Sequence, residues 1–402
     1  MRMNTSSTDR PRVRLLPKRH RRIKAGHPWL YSNEVVMTPA LKAMAAGALV
    51  TVENAAGELM GTAAFNPKPL VVGRMLSQGP DDAIDAEFFR GRIVKALALR
   101  SRLYAEPYYR LIHAEADGLP GLIVDRFDDI LVVQLNAAAV DARSDAIVAA
   151  LQAALQPKGI LLRRDTPARI VEGLADAEDE IVGDIGDAPI VVRENGLTFL
   201  SDIAGGQKTG WFYDQRDNRA AVAAVAKGGR VLDVYCYLGG FGMNAAAAGA
   251  TSVTFVDRSA PALELAEAAA AANGLADRTT FERAEAFDFL DRSVQAGARW
   301  DVVIVDPPAF VKSRKDLGAG LRGYRKLIRL ASRLVAHDGF FFVASCSHNV
   351  DDAAFAEQVR HGLTDAGRNG RILRAAGAAA DHPVHPFLPE SAYLSSMLLQ
   401  LD

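Results

Sequence analysis

Val231-Leu-Asp-Val-Tyr-Cys-Tyr-Leu-Gly-Gly-Phe-Gly242 is the stretch whose reading decides the fold. From Arg230 to Asp233 an apolar run has the pattern of a buried parallel strand that ends on a carboxylate. A Tyr/Gly-rich turn follows, and the Ala-rich run from Met243 to Ala250 starts a helix. In an open α/β sheet, ligands sit outside the carboxyl ends of the strands, most often at the first strand–loop–helix. A dinucleotide loop needs G-x-G-x-x-G so that backbone amides can approach a pyrophosphate. Here an Asp and two bulky Tyr precede the glycines, and that spacing is absent. A carboxylate at this point repels phosphate and suits a cation, such as the amino acid end of S-adenosylmethionine.

Three further runs carry the same signature. Ser252-Val-Thr-Phe-Val-Asp257 is a second apolar strand ending on an acid, which can take both ribose hydroxyls of an adenosine. Thr280 to Phe287 reads as a strand ending near Glu285, whose carboxylate could accept from an adenine amino group. Trp300 to Phe310 holds a fourth strand that stops at Asp306, because Pro307 and Pro308 cannot continue a central strand. Core packing does not explain four successive strands that each end on an acid. The pattern is that of an adenosyl-cofactor site.

A chain of 402 residues suggests two or three domains. Its net charge of −1 excludes a whole-surface basic binder, so nucleic-acid contact requires a local patch. Cys236 and Cys346 are the only cysteines, too few for a disulfide scaffold, which points to a reducing compartment. No apolar run is long enough to span a bilayer, and no apolar h-region follows the basic N-terminus. A cytoplasmic location is expected.

Met1 to Asp9 is polar and expected to fray. Arg12, Arg14, Lys18, Arg19, Arg21, Arg22 and Lys24 then follow with almost no acid, which reads either as a solvated face or as a phosphate-binding arm. Short runs between Gly26 and Leu76, broken by Gly57, Pro67 and Pro69, suggest a small β-barrel. Asp85 to Leu103 is an amphipathic helix, and the runs at Tyr109–His113, Leu122–Asp125 and Ile130–Leu135 suggest a β-meander. A helix over Asp141–Leu155 and a strand at Gly159–Arg163 complete a central α+β unit, while acidic Asp176–Asp187 reads as surface turns. Asn195-Gly196 marks a hairpin. The expected organisation is a barrel with its basic arm over residues 1–84, an α+β domain over 85–188, and a hairpin with the cofactor domain over 189–402.

Taken together, His113-Ala-Glu-Ala-Asp-Gly-Leu-Pro-Gly-Leu122, Gly206-Gln-Lys-Thr-Gly210 with Asp214-Gln-Arg216, Gly239-Gly-Phe241, Asp306-Pro-Pro308, Ser345-Cys-Ser347 and Asp381-His-Pro383 make the chain resemble a known family. It is similar to the RlmI-like class I S-adenosylmethionine-dependent methyltransferases that make 5-methylcytosine in large-subunit ribosomal RNA. The resemblance covers nearly the whole chain. It implies a multidomain α/β protein: an N-terminal PUA-like β-barrel, a central α+β domain and a C-terminal Rossmann-like methyltransferase sheet. It also implies a cofactor site from Lys208, Gln215, Asp233, Tyr237, Gly239, Asp257, Arg258, Glu285, Ala286 and Asp306, and ribosomal RNA as the partner, for which the charge run at Arg12 to Lys24 is the candidate contact. A homodimer is compatible with it, and no metal is expected. Leu238, Ala309 and Glu285 depart from the family pattern, where Thr, Lys and Asp are usual.

Carbon 5 of cytosine is not nucleophilic until a thiolate adds to carbon 6 and turns the ring into an enamine; a base then removes the hydrogen on carbon 5. Cys346, at the end of the apolar run Gly339 to Cys346, lies on the same sheet edge as Asp306 and is the candidate nucleophile. The resemblance gives Asp306 the role of protonating or hydrogen-bonding the ring near nitrogen 3. Cys236, inside the cofactor turn, reads as a packing residue. Two other readings are methylation of an RNA nitrogen through Asp306-Pro-Pro, which Ala309 before Phe310 weakens, and a non-catalytic RNA-binding or ribosome-assembly factor.

Overall fold

The basic run near the N-terminus opens with a strand. In the computed structural model, which describes residues 10–175, 177–187, 189–205 and 209–402, Arg12–Arg14 (β1) runs parallel to Ala48–Glu53 and buries Val13 between two exposed arginines. With Trp29–Tyr31 (β2), Ala48–Glu53 (β3), Leu59–Phe65 (β4) and Val71–Ser77 (β5) it forms a sheet in the order β1-β3-β4-β5-β2. Val13, Leu15, Leu30, Val50, Val52, Phe65 and Val72 fill the core of this sheet.

A helix over Ala86–Leu103 begins on Asp85, whose side chain accepts from the amides of Glu87 and Phe88, both at 3.1 Å. Tyr108–His113 (β6), Leu122–Phe127 (β7) and Ile130–Leu135 (β8) form the expected meander. Gly159–Arg163 (β9) joins β8 in parallel, and Glu180–Gly183 (β10) closes the sheet antiparallel to β9. The acidic stretch read as turns therefore contains an edge strand. It shows no apolar alternation because it is almost wholly exposed.

These two sheets belong to one compact unit, which runs to Asp187 and also takes in Thr209 and Asp381–Ser391. Buried ion pairs hold it together. Arg74 reaches Glu172 at 2.6 Å and Glu115 at 3.1 Å. Arg100, with no exposed surface, grips Asp117 at 2.5 and 2.8 Å and the Asp381 carbonyl at 2.9 Å. The Asp381 carboxylate in turn accepts the Arg110 amide at 2.9 Å. Two of the segments that carry the family resemblance, around Asp117 and Asp381, are thus tied to each other inside this unit.

The second unit holds the remaining described residues. It starts with the hairpin Ile190–Glu194 (β11) and Leu197–Ser201 (β12), turned at Asn195 and Gly196 with φ of 53° and 78°. This is the double left-handed geometry that Asn-Gly favours. The main sheet follows: Arg230–Val234 (β13), Ser252–Asp257 (β14), Thr279–Arg283 (β15), Trp300–Val305 (β16), Val335–Ser345 (β17), Gly370–Ala376 (β18) and Ser395–Leu401 (β19). Their order is β15-β14-β13-β16-β17-β19-β18, parallel except for β19, which is antiparallel to both β17 and β18. Strand order reverses at β13, where β14 lies on one side and β16 on the other. The topology therefore places its ligand crevice at the carboxyl ends of these three strands.

Candidate active site

Asp233 is the penultimate residue of β13 and is 1% exposed. Its Oδ2 accepts the Gly242 amide at 2.8 Å, which fixes the first turn of the helix Gly240–Ala247 against the strand end. Its Oδ1 is buried and has no hydrogen-bond partner among the described residues. An unpaired buried carboxylate oxygen is costly, and this one suits a donor cation. Burial pushes the Asp233 carboxyl up to about 7, and the nearby Asp306 and Asp257 charges add to the effect.

The turn after Asp233 is strained, and no residue type in it signals this. Tyr235 and Tyr237 both adopt left-handed backbone, with φ of 65° and 50°. Such residues cost about 1–3 kcal/mol each and persist only where their surroundings compensate. The compensation is visible: the Tyr235 amide donates to the Val256 carbonyl and the Tyr237 amide to Asp257 Oδ2, both at 2.9 Å. Gly239, with φ of 76°, then lets the chain enter the helix. At Gly242 a Cβ would lie 2.2 Å from Phe255 Cε1, so only glycine lets the helix sit this close to β14. Gly242→Ala is expected to destabilise the protein by about 1–3 kcal/mol. A urea melt with an unchanged midpoint would show that the helix can move away freely.

Asp257 ends β14, and each of its oxygens accepts one backbone amide, from Tyr237 and from Ser259, both at 2.9 Å. A carboxylate has about four acceptor sites, so each oxygen retains one. Arg258 beside it is exposed. The run through Glu285 is not all strand: β15 stops at Arg283, and Glu285 is the exposed N-cap of the helix Ala286–Gln295, with Ala286 buried. Tyr235 joins the site without any signal in the sequence pattern. Burial raises its phenol pKa, followed by the Glu285 and Asp257 charges, so this ring lies within the field of both acids.

Asp306 follows β16 directly and is half-buried. Its Oδ2 accepts from Gln215 Nε2 at 3.0 Å, and Gln215 Oε1 accepts from Asn218 at 2.7 Å. Cys346 follows β17, the neighbouring parallel strand, and its Sγ lies 3.8 Å from the Pro307 carbonyl. Cys346 is half-buried, whereas Cys236 is buried. Burial, then Asp233 and Asp257, pushes the Cys236 thiol well above its ordinary range, so it is held protonated.

Behind Cys346 lies a buried hydroxyl relay that sequence reading missed. Ser345 Oγ donates to the Tyr324 hydroxyl at 2.9 Å, and Tyr324 also meets Ser347 Oγ at 2.9 Å. The Val311 amide donates to Ser347 Oγ at 3.3 Å. Residues on both sides of Cys346 are therefore pinned to the helix Leu317–Arg333 and to the segment after Asp306-Pro-Pro. A second clamp lies against the Tyr/Gly turn, where Arg219 pairs with Glu194 at 2.6 Å and lies over the Trp211 ring at 4.4 Å and the Phe241 ring at 5.7 Å. Spacing could not have revealed either, because the partners are far apart in sequence.

Asp233, Tyr237, Gly239, Asp257, Gln215, Asp306 and Cys346 all belong to the second unit, around the ends of β13, β14, β16 and β17. Lys208 lies outside the described residues. The basic residues belong to the first unit, and they divide into two groups. Arg12 and Arg14 reach the buried Glu53 at 3.5 and 2.6 Å. Arg22 approaches Glu34 at 3.5 Å and lies over the Tyr31 ring at 4.7 Å. Lys18, Arg19, Arg21 and Lys24 are exposed. Among the described residues no cluster of three His, Cys, Asp or Glu side chains is placed to hold a metal ion, and no helix is long and apolar enough to cross a membrane.

The sequence matches the PUA-like domain family over residues 13–78 and the S-adenosylmethionine-dependent methyltransferase family over residues 117–374. It is 36% identical over 394 residues to the Ribosomal RNA large subunit methyltransferase I of Shewanella denitrificans, covering 97% of this chain and 99% of that protein. The protein of the same name from Photobacterium profundum is 35% identical over 386 residues, covering 95% and 97%. Among solved structures, a Streptococcus mutans chain described as a SAM-dependent methyltransferase aligns with a TM-score of 0.82 at 21% identity, covering 97% of this chain and 100% of its own. A chain described as a methyltransferase and complexed with SAH aligns with the same TM-score and identity. At such identity the structural likeness speaks for the fold.

Proposed function

The chain belongs to the S-adenosylmethionine-dependent methyltransferase family, and from that premise we propose that it methylates carbon 5 of a cytosine in large-subunit ribosomal RNA, with Cys346 as the nucleophile. The substrate class follows the name its relatives carry. One observation carries the choice of carbon over nitrogen: a half-buried cysteine and an aspartate end adjacent parallel strands, with Cys346 Sγ 3.8 Å from the carbonyl of Pro307, the residue after Asp306.

S-adenosylmethionine is the cofactor, and when bound it supplies an electrophilic sulfonium methyl. The residues present fit it. Asp233, enclosed at the strand end with its Oδ1 unpaired, would attract the ammonium group through its charge, and Asp257 would offer one acceptor site per oxygen to the ribose hydroxyls. Tyr237 and Gly239 shape the turn between them. Glu285, with Ala286 and Arg258, would border the adenine. Gln215 orients Asp306 at the reacting end, and Lys208 is assigned to the same site on the family resemblance alone.

Cys346 would add to carbon 6 as the thiolate, forming the Sγ–C6 bond while Asp306 supplies a proton or hydrogen bond at nitrogen 3. After carbon 5 is methylated, a base would take the hydrogen from carbon 5, the Sγ–C6 bond would break to return the thiolate, and any proton given to nitrogen 3 would go back to Asp306. The relay from Tyr324 through Ser345 and Ser347 fixes the loop that carries Cys346. Bisulfite or mass mapping of large-subunit RNA methylated by the protein tests the reading: 5-methylcytosine supports it, and a nitrogen-methylated base overturns it.

Asp233 gives this reading a pH signature. Its folded pKa is raised to about 7 from 3.8, so the cofactor-free protein holds a proton there that the unfolded chain has lost. That contribution to stability declines as pH rises through this window. A bound ammonium group favours the anion, so binding below about pH 7 should release a proton, and affinity should rise as pH approaches 7 from below. Calorimetry in buffers of different ionisation heat measures this. Proton release that persists undiminished in Asp233→Asn would remove Asp233 from that role.

The arm has its own test. Lys18, Arg19, Arg21 and Lys24 are its cations without an ion pair among the described residues, whereas Arg12, Arg14 and Arg22 also brace the sheet. Changing the four to alanine should lower RNA affinity evenly across sequences. It should also flatten the salt dependence by roughly 0.7–0.9 for each phosphate no longer neutralised. An unchanged salt slope would return them to the role of a solvated surface.

A further inference from the structure

We propose that the exposed basic rim of the second unit, from Lys312 to Arg322, binds the phosphates of single-stranded RNA beside the target base. The proposal rests on the RNA methyltransferase reading and adds to it binding residues other than those of the N-terminal arm. Between Lys312 and Arg333 the sequence has eight basic residues (Lys312, Arg314, Lys315, Arg322, Arg325, Lys326, Arg329 and Arg333) against the single acid Asp316. In a chain of net charge −1 this is a strong local excess.

The ordinary explanation is the solvated face of an amphipathic helix, and part of the cluster fits it. Tyr324, Leu327, Ile328 and Leu330 bury one side of the helix Leu317–Arg333. Arg325 pairs with Asp365 at 2.6 and 2.8 Å, and Arg333 donates to the Asp365 carbonyl. The remainder does not fit. Lys312, Arg314, Lys315 and Arg322 are exposed and have no ion pair among the described residues. The one acid is engaged locally, since Asp316 Oδ2 accepts from the amide and hydroxyl of Ser313 at 3.1 and 2.7 Å.

What points to a ligand is where this rim is anchored. Val311, immediately before Lys312, donates its amide to Ser347 Oγ at 3.3 Å and accepts from Asn349 Nδ2 at 3.4 Å. The cations therefore start one residue from a segment bonded to the loop that carries Cys346. A base presented to Cys346 brings its flanking phosphates to that edge. Neighbouring rings are engaged on one side: Phe310 packs on Tyr324 with centroids 4.7 Å apart, and Lys326 covers Phe287 at 4.8 Å. The four exposed cations make charge the chief feature of this surface, and their contribution is sequence-independent and salt-sensitive.

The test uses the full-length protein with Lys312, Arg314, Lys315 and Arg322 changed to alanine, and a short fluorescent single-stranded RNA of mixed sequence. Anisotropy titrations should show the slope of log K against log salt flattened by about 0.7 for each cation removed, or about 3 for four. Steady-state methylation of large-subunit RNA should show a raised KM at unchanged kcat. Cofactor affinity and melting midpoint should stay at wild-type values. The charge-keeping pair Arg314→Lys and Arg322→Lys should keep the wild-type slope. Should the quadruple variant fail to fold, the loop pair Lys312→Ala and Lys315→Ala should flatten the slope by about 1.4. A folded, cofactor-binding variant with the wild-type slope and KM reduces the rim to a solvated helix face, and equal flattening on duplex RNA overturns its single-strand character. If the wild-type protein neither binds nor methylates RNA, the functional reading fails as well. If it does both and the variant matches it, only the rim fails.

Discussion

Cys346→Ser is expected to abolish methyl transfer, lowering kcat by roughly four to six orders of magnitude, the scale on which removal of a covalent nucleophile acts. Serine keeps the size and hydrogen-bonding ability of the side chain near the Pro307 carbonyl. Its hydroxyl stays protonated at neutral pH and cannot add to carbon 6 at a useful rate. Cofactor and RNA affinities should persist, because neither depends on Sγ. Cys236→Ser is the control: that thiol is buried and held protonated beside Asp233 and Asp257, so its loss should affect stability or cofactor affinity but not the bond to the base. Near-normal turnover by Cys346→Ser in single-turnover assays would point to nitrogen methylation.

The second large effect is expected at Asp257. Removing its carboxylate should weaken S-adenosylmethionine binding by about 1.5–3 kcal/mol for each charge-assisted bond removed, or roughly 10- to 100-fold per bond. Part of the effect would come indirectly, because Asp257 also holds the Tyr237 amide in its left-handed turn. Asp257→Asn separates the two contributions, since it keeps one carbonyl acceptor and most of the shape while losing the charge. Calorimetry should rank wild type above Asn and Asn above Ala. Unchanged affinity in a folded Asp257→Ala would remove this acid from the cofactor site.

Local patterning made much of this architecture legible. Apolar runs bounded by acids and prolines marked β13, β14 and β16, and Asn195-Gly196 marked a hairpin whose two residues take the expected left-handed angles. Those signals work because strand burial and turn geometry are set within a few residues. The misreadings have equally physical causes. The basic run contains β1, since Arg12-Val-Arg14 alternates and buries only Val13, and the charge density hid so short a period. Glu180–Gly183 pairs along a sheet edge, where backbone partners rather than apolar side chains make the strand. The strand read as ending near Glu285 does end there, at Arg283, and Glu285 then stands at the N-cap position of the next helix. Nothing local could reveal that Asp381 accepts the amide of Arg110, or that Tyr324 braces both flanks of Cys346.

The most direct test of carbon-5 chemistry through Cys346 is covalent trapping on a large-subunit RNA substrate containing 5-fluorocytosine, with S-adenosylmethionine present. Fluorine cannot leave carbon 5 as a proton does, so the Sγ–C6 bond should persist. The account predicts a denaturation-resistant protein–RNA adduct whose cross-linked peptide contains Cys346, absent from Cys346→Ser and retained in Cys236→Ser. An adduct that survives in Cys346→Ser and vanishes in Cys236→Ser, or active methylation with no adduct at all, would contradict it.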